Sequence, residues 1–416
     1  MRNPAILPTR PVLAPFLIAA LVAGRAFAQS SAAGDEQVWI DLRKPADAIV
    51  QRLPVAMVEV DGSTGAGRLH YHDVAIVIDL SASTRLRSGV DVNENGVVGK
   101  ASPEIREDYW GAASPELLCD DPGDTIAAAE IAAVRRLLKL LNPERTRVAL
   151  IAFGDRAELA APLLATRPEV EAALDRLDGR HGWYGGTNYA AALELARDSL
   201  LDAPADGKAG RKRSILFLSD GYPTLPPPEP NPGRSAIAAA RGAGEKDVRI
   251  HSFALGPEAV RGRDVLDLVS RVSQGTLTEI ERPGEVLFHL PAVELSEVAE
   301  VRLLNQTSGQ SGRAIRLLAD GSFDGFVPLV RGRNLLRVTA IGIGGGTQVV
   351  ERSVFYEPTA GQQREVELEV SRLRELLRTR AIEVELAGEI QRAREQRRAR
   401  QRELRIDVEK PTPAPK

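Results

Sequence analysis

The sequence predicts an α/β domain on a doubly wound, mostly parallel sheet, followed by a β-sandwich and a long C-terminal helix. Three observations predict this architecture. Short apolar runs alternate with helical patterns over residues 73–290, which is the order of elements in a doubly wound sheet. Short alternating strands separated by turn residues follow over residues 296–358, as in a β-sandwich. Residues 362–405 are a charged stretch with apolar residues near heptad spacing, which indicates a helix.

Residues 1–28 have the pattern of a secretory signal peptide. Arg2 and Arg10 precede an apolar stretch at residues 12–22, and Ala26-Phe27-Ala28 has the small-x-small pattern of a cleavage site. We therefore expect cleavage after Ala28 and a protein exported to the periplasm or secreted. An uncleaved anchor is the alternative, but the apolar stretch is shorter than the ~20 residues that span a bilayer. No later run is long enough, so no transmembrane segment is expected after cleavage.

Residues 29–72 form a separate segment ahead of the α/β domain. Residues 54–60 have a strand pattern, and the Gly-rich residues 61–65 that follow are predicted to form a turn. Because the β-sandwich at 296–358 has only about five predicted strands, this segment is a candidate for supplying the missing ones. The α/β domain would then be an insertion into a composite sandwich.

The α/β domain begins with a β-branched apolar run at residues 74–78, which predicts a central parallel strand. The spacing of apolar residues predicts the later elements. The predicted strands are 147–153, 214–218 and 248–254, and the predicted helices are 125–141, 168–177, 188–201, 234–243 and 263–273. Ligands bind at the carboxyl ends of the strands in such sheets, so the residues that follow each strand are candidates for a site.

Oxygen-bearing side chains follow two of these strands. Asp79, Ser81 and Ser83 come directly after the first strand, and Asp220 follows the strand at 214–218. Thr187 lies in a Gly-rich loop ahead of a predicted helix. Hydroxyl and carboxylate oxygens suit hard divalent ions such as Mg²⁺, with Mn²⁺ or Ca²⁺ as alternatives. The sequence therefore predicts a metal site at this edge of the sheet.

This set of residues resembles the metal-ion-dependent adhesion site of von Willebrand factor A domains, and the resemblance extends over about residues 73–290. The chain departs from the family pattern at Ala82, where glycine is usual, and at Thr84, where methionine is usual. The resemblance implies that the Ser and Thr hydroxyls bind the ion directly, that the aspartates act largely through water, and that an acidic group of a partner fills one open position. The alternative is that Asp79 and Asp220 only cap turns.

An insertion at residues 84–124 separates the first strand from the first helix of this domain, where connections of roughly 2 to 6 residues are usual. It contains a D-x-N-x-N-G segment, which is the spacing of an EF-hand calcium loop. The sequence therefore predicts a Ca²⁺ site in the 91–102 loop. Its predicted ligands are Asp91, Asn93, Asn95 and the carbonyl of Val97.

One ligand of that loop is missing. Position twelve, where EF-hands have a bidentate Glu, is Ser102. Glu104 and Asp108 are candidates to replace it from a different geometry. An Asn/Gly turn without an ion is the alternative.

The histidines give no catalytic or H-E-x-x-H spacing. His70 and His72 lie two apart on one face of a predicted strand, and they would chelate zinc if a third ligand came near. Ordinary surface histidines are the favoured interpretation. Cys119 is the only cysteine, so an internal disulfide is excluded.

The C-terminal part carries weaker signals. The β-sandwich at 296–358 resembles the immunoglobulin-like modules of exported bacterial proteins, without a signature motif. The 362–405 helix either pairs with another helix, which would make the chain oligomeric, or packs against its own sandwich, and its apolar pattern is too short to decide. Residues 406–416 are expected to be disordered.

Composition and motifs together limit the function. A net charge of −3 provides no positive field for phosphates, so nucleic acid is not an expected partner. No catalytic triad or phosphate-binding loop is recognisable, and we do not expect an enzyme. The first interpretation is an exported adhesion or interaction protein whose metal ion binds a carboxylate of a protein ligand. The second is a periplasmic accessory subunit that assembles an enzyme or transport complex.

Overall fold

The computed structural model of the 416-residue chain describes residues 37–68, 70–107, 113–178, 185–204, 210–226 and 231–359, with 368, 370–372 and 375. The last five of these residues are helical. The predicted signal peptide, the predicted tail and most of the predicted 362–405 helix lie outside the described residues. Within the described part, no helix combines the length and apolarity needed to cross a membrane.

The described strands and helices follow one another in chain order. The strands are β1 (Val38–Lys44), β2 (Ile49–Gln51), β3 (Met57–Ala66), β4 (Tyr71–Asp79), β5 (Ala101–Glu107), β6 (Ala113–Cys119), β7 (Thr146–Phe153), β8 (Ala157–Ala161), β9 (Arg211–Ser219), β10 (Val248–Leu255), β11 (Leu277–Ile280), β12 (Val298–Asn305), β13 (Gln310–Ser311), β14 (Arg313–Leu317), β15 (Ser322–Pro328), β16 (Gly332–Gly342) and β17 (Thr347–Tyr356). The helices are α1 (Ile126–Lys139), α2 (Arg167–Leu177), α3 (Tyr189–Leu201), α4 (Pro232–Gly244), α5 (Gly256–Arg261), α6 (Asp264–Val272) and α7 (Val286–His289).

The α/β domain is built on a six-stranded sheet in the order β11-β10-β9-β4-β7-β8. All neighbouring strands are parallel except β7 and β8, which are antiparallel. The prediction of a mostly parallel α/β sheet is therefore confirmed. The edge strand β8 is absent from the sequence prediction because its five residues, AELAA, contain no β-branched or aromatic side chain.

The central strand β4 is buried on both faces. Val74, Ile76 and Ile78 pack into one apolar cluster with α1, α2 and α7. Ala75 and Val77 point to the opposite face and pack with α3, α4 and α6. Because alternate side chains of a strand lie on opposite faces, this double burial explains the uninterrupted apolar run. It also fixes the position at which Asp79 leaves the sheet.

A two-sheet β domain accompanies the α/β domain. Its sheets have the orders β1-β3-β15-β14 and β13-β12-β16-β17-β2, and both contribute to one apolar core that includes Val60, Phe323, Leu336 and Val354. Strand β3 pairs with β15, and β2 pairs with β17. Strands from before and after the α/β domain therefore build this domain together, and the α/β domain is inserted between β3 and β12. Its immunoglobulin-like character stays a prediction.

The turn predicted at residues 61–65 is wrong, because β3 runs without a break from Met57 to Ala66. A Cβ added to Gly62 would lie 2.8 Å from Phe323 Cζ, and one added to Gly65 would lie 2.6 Å from Trp39 Cζ2. The two glycines therefore make room for large rings on neighbouring strands. The glycines at residues 61–65 therefore reflect close packing between strands and not a turn.

Asp320 connects the two domains. It is buried in the turn between β14 and β15. Its Oδ2 accepts hydrogen bonds from the backbone N–H of Asn142 at 2.8 Å and from Thr146 Oγ1 at 2.9 Å, and its Oδ1 accepts one from the backbone N–H of Ser322 at 3.0 Å. The neighbouring Ala319 belongs to the apolar core of the α/β domain. The domains are thus joined by a packed polar contact as well as by the chain.

The insertion at residues 84–124 is anchored by a buried carboxylate. It contains the antiparallel hairpin of β5 and β6. Asp124, just before α1, accepts hydrogen bonds from the backbone N–H groups of Val92 and Gly99, both at 2.7 Å. These bonds hold the 91–99 loop against the start of α1.

Candidate metal centre

Asp79 is the last residue of β4 and is fully buried. Its Oδ1 accepts a hydrogen bond from the backbone N–H of Ser81 at 2.8 Å, and its Oδ2 accepts one from Ser219 Oγ at 2.5 Å. Thr84 Oγ1 donates to the Ser81 carbonyl at 2.8 Å and closes the 3₁₀ turn at Ala82–Arg85. Thr84, which replaces the usual methionine, therefore stabilises the loop that carries the two serines.

Ser81, Ser83 and Asp220 form a continuous polar contact beside Asp79. Ser81 Oγ lies 3.2 Å from Ser83 Oγ, and Ser83 Oγ donates to Asp220 Oδ1 at 2.8 Å. Because β4 and β9 are parallel neighbours, Asp79 and Asp220 leave the sheet at the same edge. The structure thus brings four of the five predicted site residues together.

Thr187, the fifth predicted residue, lies in a loop that contacts the segment after Asp220. Its backbone N–H donates to Thr224 Oγ1 at 2.9 Å, and its carbonyl accepts from the backbone N–H of Thr224 at 2.8 Å. The next residue, Asn188, caps α3 by accepting from the backbone N–H of Ala191 at 3.1 Å. These contacts join the Thr187 loop to the segment after Asp220. No hydrogen bond between the Thr187 hydroxyl and the other four residues is among the described contacts.

Burial raises the pKa of both site carboxyl groups. The pKa of Asp79 rises to about 6, although hydrogen bonds from Ser219 and Ser81 oppose the rise. The pKa of Asp220 rises to about 8 because of burial and then of repulsion from Asp79, with the Ser83 hydrogen bond opposing. Among the described residues, no Lys or Arg forms an ion pair with either carboxylate. The pair therefore lacks a compensating positive charge.

Three residues support the site that sequence reasoning did not assign to it. Ser219 donates to Asp79, and Tyr189, whose hydroxyl lies 2.9 Å from Ser219 Oγ, donates to the Gly221 carbonyl at 2.6 Å. Glu130 accepts a hydrogen bond from the backbone N–H of Asp79 at 3.0 Å. Glu130 is the only charged residue among the apolar residues on the buried face of α1. A charged residue at an apolar position of the helical pattern is the sequence signal that could have identified it.

The donor set fits a hard divalent cation. It offers carboxylate and hydroxyl oxygens and no soft ligand. Glu130 Oε1 is buried without a hydrogen-bond partner, and burial together with the charges of Asp79 and Asp220 raises the pKa of Glu130 well above its usual value. Within the described residues, no three His, Cys, Asp or Glu side chains gather around one point. The serine hydroxyls beside Asp79 and Asp220 are oxygen donors that could add to a coordination shell.

Comparison with known proteins agrees with the domain type. Residues 114–222 match the von Willebrand factor type A domain family. The matched range contains Thr187 and Asp220, whereas Asp79, Ser81 and Ser83 lie before it. The α/β domain is called the A domain below.

Several known proteins are similar to parts of the chain. An uncharacterised protein of Synechocystis sp. is 27% identical over 168 residues, which are 40% of this chain and 35% of the relative. The chain thus spans about a third of the length of the curated relative that it matches. BatB from Bacteroides thetaiotaomicron is 16% identical over 52% of this chain and 93% of its own, with a TM-score of 0.35. Proximal thread matrix protein 1 from the mussel byssus, with zinc in its MIDAS motif, is 13% identical over 53% of this chain and 46% of its own, with a TM-score of 0.35.

The 91–102 loop, where calcium is predicted, is held by hydrogen bonds from its backbone N–H groups to its own Asp and Asn side chains. Asp91 accepts from the backbone N–H groups of Asn95 at 3.1 Å and Gly96 at 2.7 Å. Asn93 Oδ1 accepts from the backbone N–H of Asn95 at 3.1 Å, and Asn95 Oδ1 accepts from that of Val97 at 2.8 Å. Gly96 has a φ of 88°, which favours glycine at the sixth position of the loop.

Asp121 approaches this loop from the far end of the insertion. Its two carboxylate oxygens each lie 3.1 Å from Asn93 Nδ2, and Oδ2 lies 2.8 Å from Asn95 Nδ2. Of the residues that the sequence suggested as a replacement at position twelve, Asp108 and the side chain of Glu104 lie outside what the structure describes. Asp121 is a described carboxylate that contacts both asparagine side chains, and its distance along the sequence explains why the spacing of the loop did not point to it.

The interpretation of His70 and His72 as surface residues is wrong. They are 3% and 1% exposed, respectively, at the contact between the A domain and the two-sheet β domain. No third metal-ligating side chain joins them within the described part of the chain. Both rings therefore belong to the domain contact.

Proposed function

We propose that this chain is a metal-dependent protein-binding protein whose A domain holds a Mg²⁺-type ion. The ligands are the residues of the candidate metal centre: Asp79, Ser81, Ser83, Thr187 and Asp220. One observation carries the proposal. Two buried carboxylates at the ends of neighbouring parallel strands, connected through serine hydroxyls, have no cationic partner among the described residues. Burial and then repulsion from Asp79 raise the pKa of Asp220, and a divalent cation would offset both.

The space above the site supports a role in ligand binding. A Cβ added to Gly221 would meet only Ser83 Oγ, at 3.9 Å. The volume next to Gly221 on the side of Ser83 is therefore open. We propose that a carboxylate of a partner protein occupies this position, and we assign no catalytic reaction to the site.

A calcium ion in the insertion is the second part of the proposal. Asp91, Asn93, Asn95 and the Val97 carbonyl would supply the loop ligands, and Asp121 the missing carboxylate. The approach of Asp121 to both asparagines supports this assignment. Calcium there would stiffen the insertion that begins at the metal centre.

The cellular setting rests on the sequence alone. The signal pattern at residues 1–28 supports export, where acidic groups on neighbouring proteins are accessible ligands. Oligomerisation through the 362–405 helix stays a prediction.

The metal and its ligand are tested separately. Isothermal titration of the metal-stripped mature chain with Mg²⁺ should show one binding event that the Asp220→Ala variant loses and the Asp175→Ala variant, changed at an exposed residue of α2, retains. An array of Asp- and Glu-containing peptides with Asn- and Gln-matched controls is then probed in Mg²⁺ and in EDTA. Binding that requires both the acid and Mg²⁺ supports the proposal. A protein that binds no divalent ion, or that binds acidic peptides equally well in EDTA, contradicts it.

A further inference from the structure

Two histidines lie side by side at the contact between the A domain and the two-sheet β domain. The ring centroids of His70 and His72 are 4.9 Å apart, at an interplanar angle of 80°. The Nε2 atom of each ring is buried without a hydrogen-bond partner. Buried polar atoms without a partner are uncommon in folded proteins, and each one requires an explanation.

A hydrogen bond defines the tautomer of His70. Its Nδ1 lies 2.6 Å from the Arg68 carbonyl oxygen. Because a carbonyl oxygen only accepts hydrogen bonds, Nδ1 carries a hydrogen, and in the neutral ring Nε2 then carries a lone pair. The Trp39 ring from β1 meets His70 edge-on at 5.8 Å, and Trp39 Nε1 is also buried without a partner. The β domain thus covers a neutral imidazole with an aromatic ring.

The charges that face the pair are mostly positive. Arg145 donates to the His70 carbonyl at 2.6 Å, and its guanidinium lies 5.4 Å from the centroid of the Trp39 ring. Lys212, on β9, contributes a second cation to both histidines. A proton on either ring would therefore add a positive charge beside two others.

The nearby acidic groups already have partners. Glu297 pairs with Arg249 and, at 3.6 Å, with Lys212. The carboxylate of Asp320 accepts hydrogen bonds from Asn142, Thr146 and Ser322, and only its backbone carbonyl interacts with His72. Tyr71 and Asp41 interact with Arg145. Glu297 favours protonation of His70, but burial and Lys212 oppose it more strongly, so the pKa of His70 is lowered.

We propose that the His70–His72 pair makes the contact between the two domains an acid-sensitive joint. The joint is closed while both rings are neutral, and it opens along β1, β3 and the β14–β15 turn when the rings take up protons. This inference is independent of the metal centre, which lies at the opposite end of β4. Buried imidazoles whose protonation is opposed by burial and by neighbouring cations respond to mildly acidic pH.

The direction of the pH effect follows from the histidine pKa values. Burial, with Lys212 and Arg145, lowers the pKa of His70 from 6.5 to about 4 and that of His72 well below 6.5. The open joint therefore binds more protons than the closed one, so the closed joint is fully stable above pH 6.5 and loses stability as the pH falls towards 4. For His70 alone, we use a pKa of 6.5 in the open joint and of about 4 in the closed joint. Relative to pH 8, protonation then raises the open-to-closed ratio about tenfold at pH 5.5 and about 75-fold at pH 4.5.

Hydrogen exchange with mass spectrometry on the full mature chain tests the joint. Exchange is measured at pH 8, 5.5 and 4.5 in constant Mg²⁺ and Ca²⁺ and corrected for the intrinsic rate at each pH. We expect peptides from β1, β3 and the β14–β15 turn to lose protection by about the factors above, while the core of β7 keeps its protection. Protection of β1 and β3 that does not change with pH overturns the proposal, and so does uniform loss over the whole chain.

Two variants and a control identify the groups that respond. The double variant His70→Gln with His72→Gln replaces both rings by neutral amides and should abolish the pH response, whereas His289→Gln, on α7, should leave it unchanged. Lys212→Met removes a cation that lowers both histidine pKa values, so the opening should shift to lower pH. Lys212 is partly exposed, and this variant remains informative if the double variant does not fold. An opening that is unchanged or shifted to higher pH in Lys212→Met overturns the proposal.

Discussion

Ser219 Oγ donates a hydrogen bond to Asp79 Oδ2 at 2.5 Å, joining the ends of two neighbouring parallel strands. Ser219 is the last residue of β9, and Asp220 follows it directly. Two consecutive residues therefore orient the carboxylate of Asp79 and provide the carboxylate of Asp220. The Tyr189 hydroxyl, 2.9 Å from Ser219 Oγ, reinforces this arrangement from α3. The candidate metal centre therefore depends on residues behind it as well as on its ligands.

The first prediction concerns that hydrogen bond. Ser219→Ala should weaken Mg²⁺ binding by about 10- to 100-fold, because the ionised form of Asp79 loses a donor and its orientation is less restricted. Isothermal titration with Mg²⁺ measures the change. Ser214→Ala, a buried serine at the other end of β9, is the control and should bind as the wild type does. Equal affinities for wild type and Ser219→Ala would show that Ser219 has no part in the site.

The second prediction is a rise in Mg²⁺ affinity with pH. The raised pKa values of Asp79, about 6, and Asp220, about 8, mean that protons compete with the ion between these pH values. Affinity should therefore increase from pH 6 to pH 8, with proton release on binding. Titrations in two buffers of different ionisation enthalpy measure the released protons. A flat affinity with no proton release would contradict the electrostatic account.

The third prediction separates the two proposed metal sites. Asp121→Ala should remove a Ca²⁺ binding event as fully as Asp91→Ala does, and both variants should retain Mg²⁺ binding at the metal centre. Asp120→Ala is the neighbouring control, because Asp120 accepts from the Lys100 backbone and contacts neither asparagine in the described structure. Retention of Ca²⁺ binding in Asp121→Ala would mean that this carboxylate is not a ligand.

The fourth prediction concerns the domain contact. Asp320→Ala leaves three donors without their acceptor, in Asn142, Thr146 and Ser322, and should lower the free energy of unfolding by roughly 3 kcal/mol. Urea unfolding at neutral pH measures the change. Glu300→Gln alters an exposed ion pair of the same domain and should shift stability by less than about 0.5 kcal/mol. Similar effects for the two variants would contradict a structural role for Asp320.

Local sequence patterns predict the features that depend on a single strand or helix. The continuous apolar run predicts the position of β4, which is buried on both faces. The spacing of apolar residues predicts the positions of α1 to α4, because buried side chains recur with the period of the helix. Asp79, Ser81, Ser83 and Asp220 were identifiable because strand ends place them on one edge of the sheet. Each of these inferences needs only the chain on either side of the residue.

Long-range contacts were beyond the sequence. Asp121 reaches Asn93 across the hairpin of the insertion, and Ser219 reaches Asp79 across 140 positions. The glycines of β3 are explained only by the Trp39 and Phe323 rings that pack on them. The sequence around His70 and His72 favours surface residues because nothing local indicates that the β domain covers them. In each case the decisive partner is distant in the chain.

The insertion of the A domain between β3 and β12 determines how tension would travel through the molecule. Both chain connections of the A domain enter the same two-sheet β domain, and the segment after β17 hydrogen-bonds to the end of β2, with the backbone N–H of Glu357 donating to the Gln51 carbonyl at 3.0 Å. A pull between residues 37 and 359 therefore loads the strands of the β domain first. The A domain receives force from such a pull only after those strands separate, so the candidate metal centre is shielded from tension between these two residues.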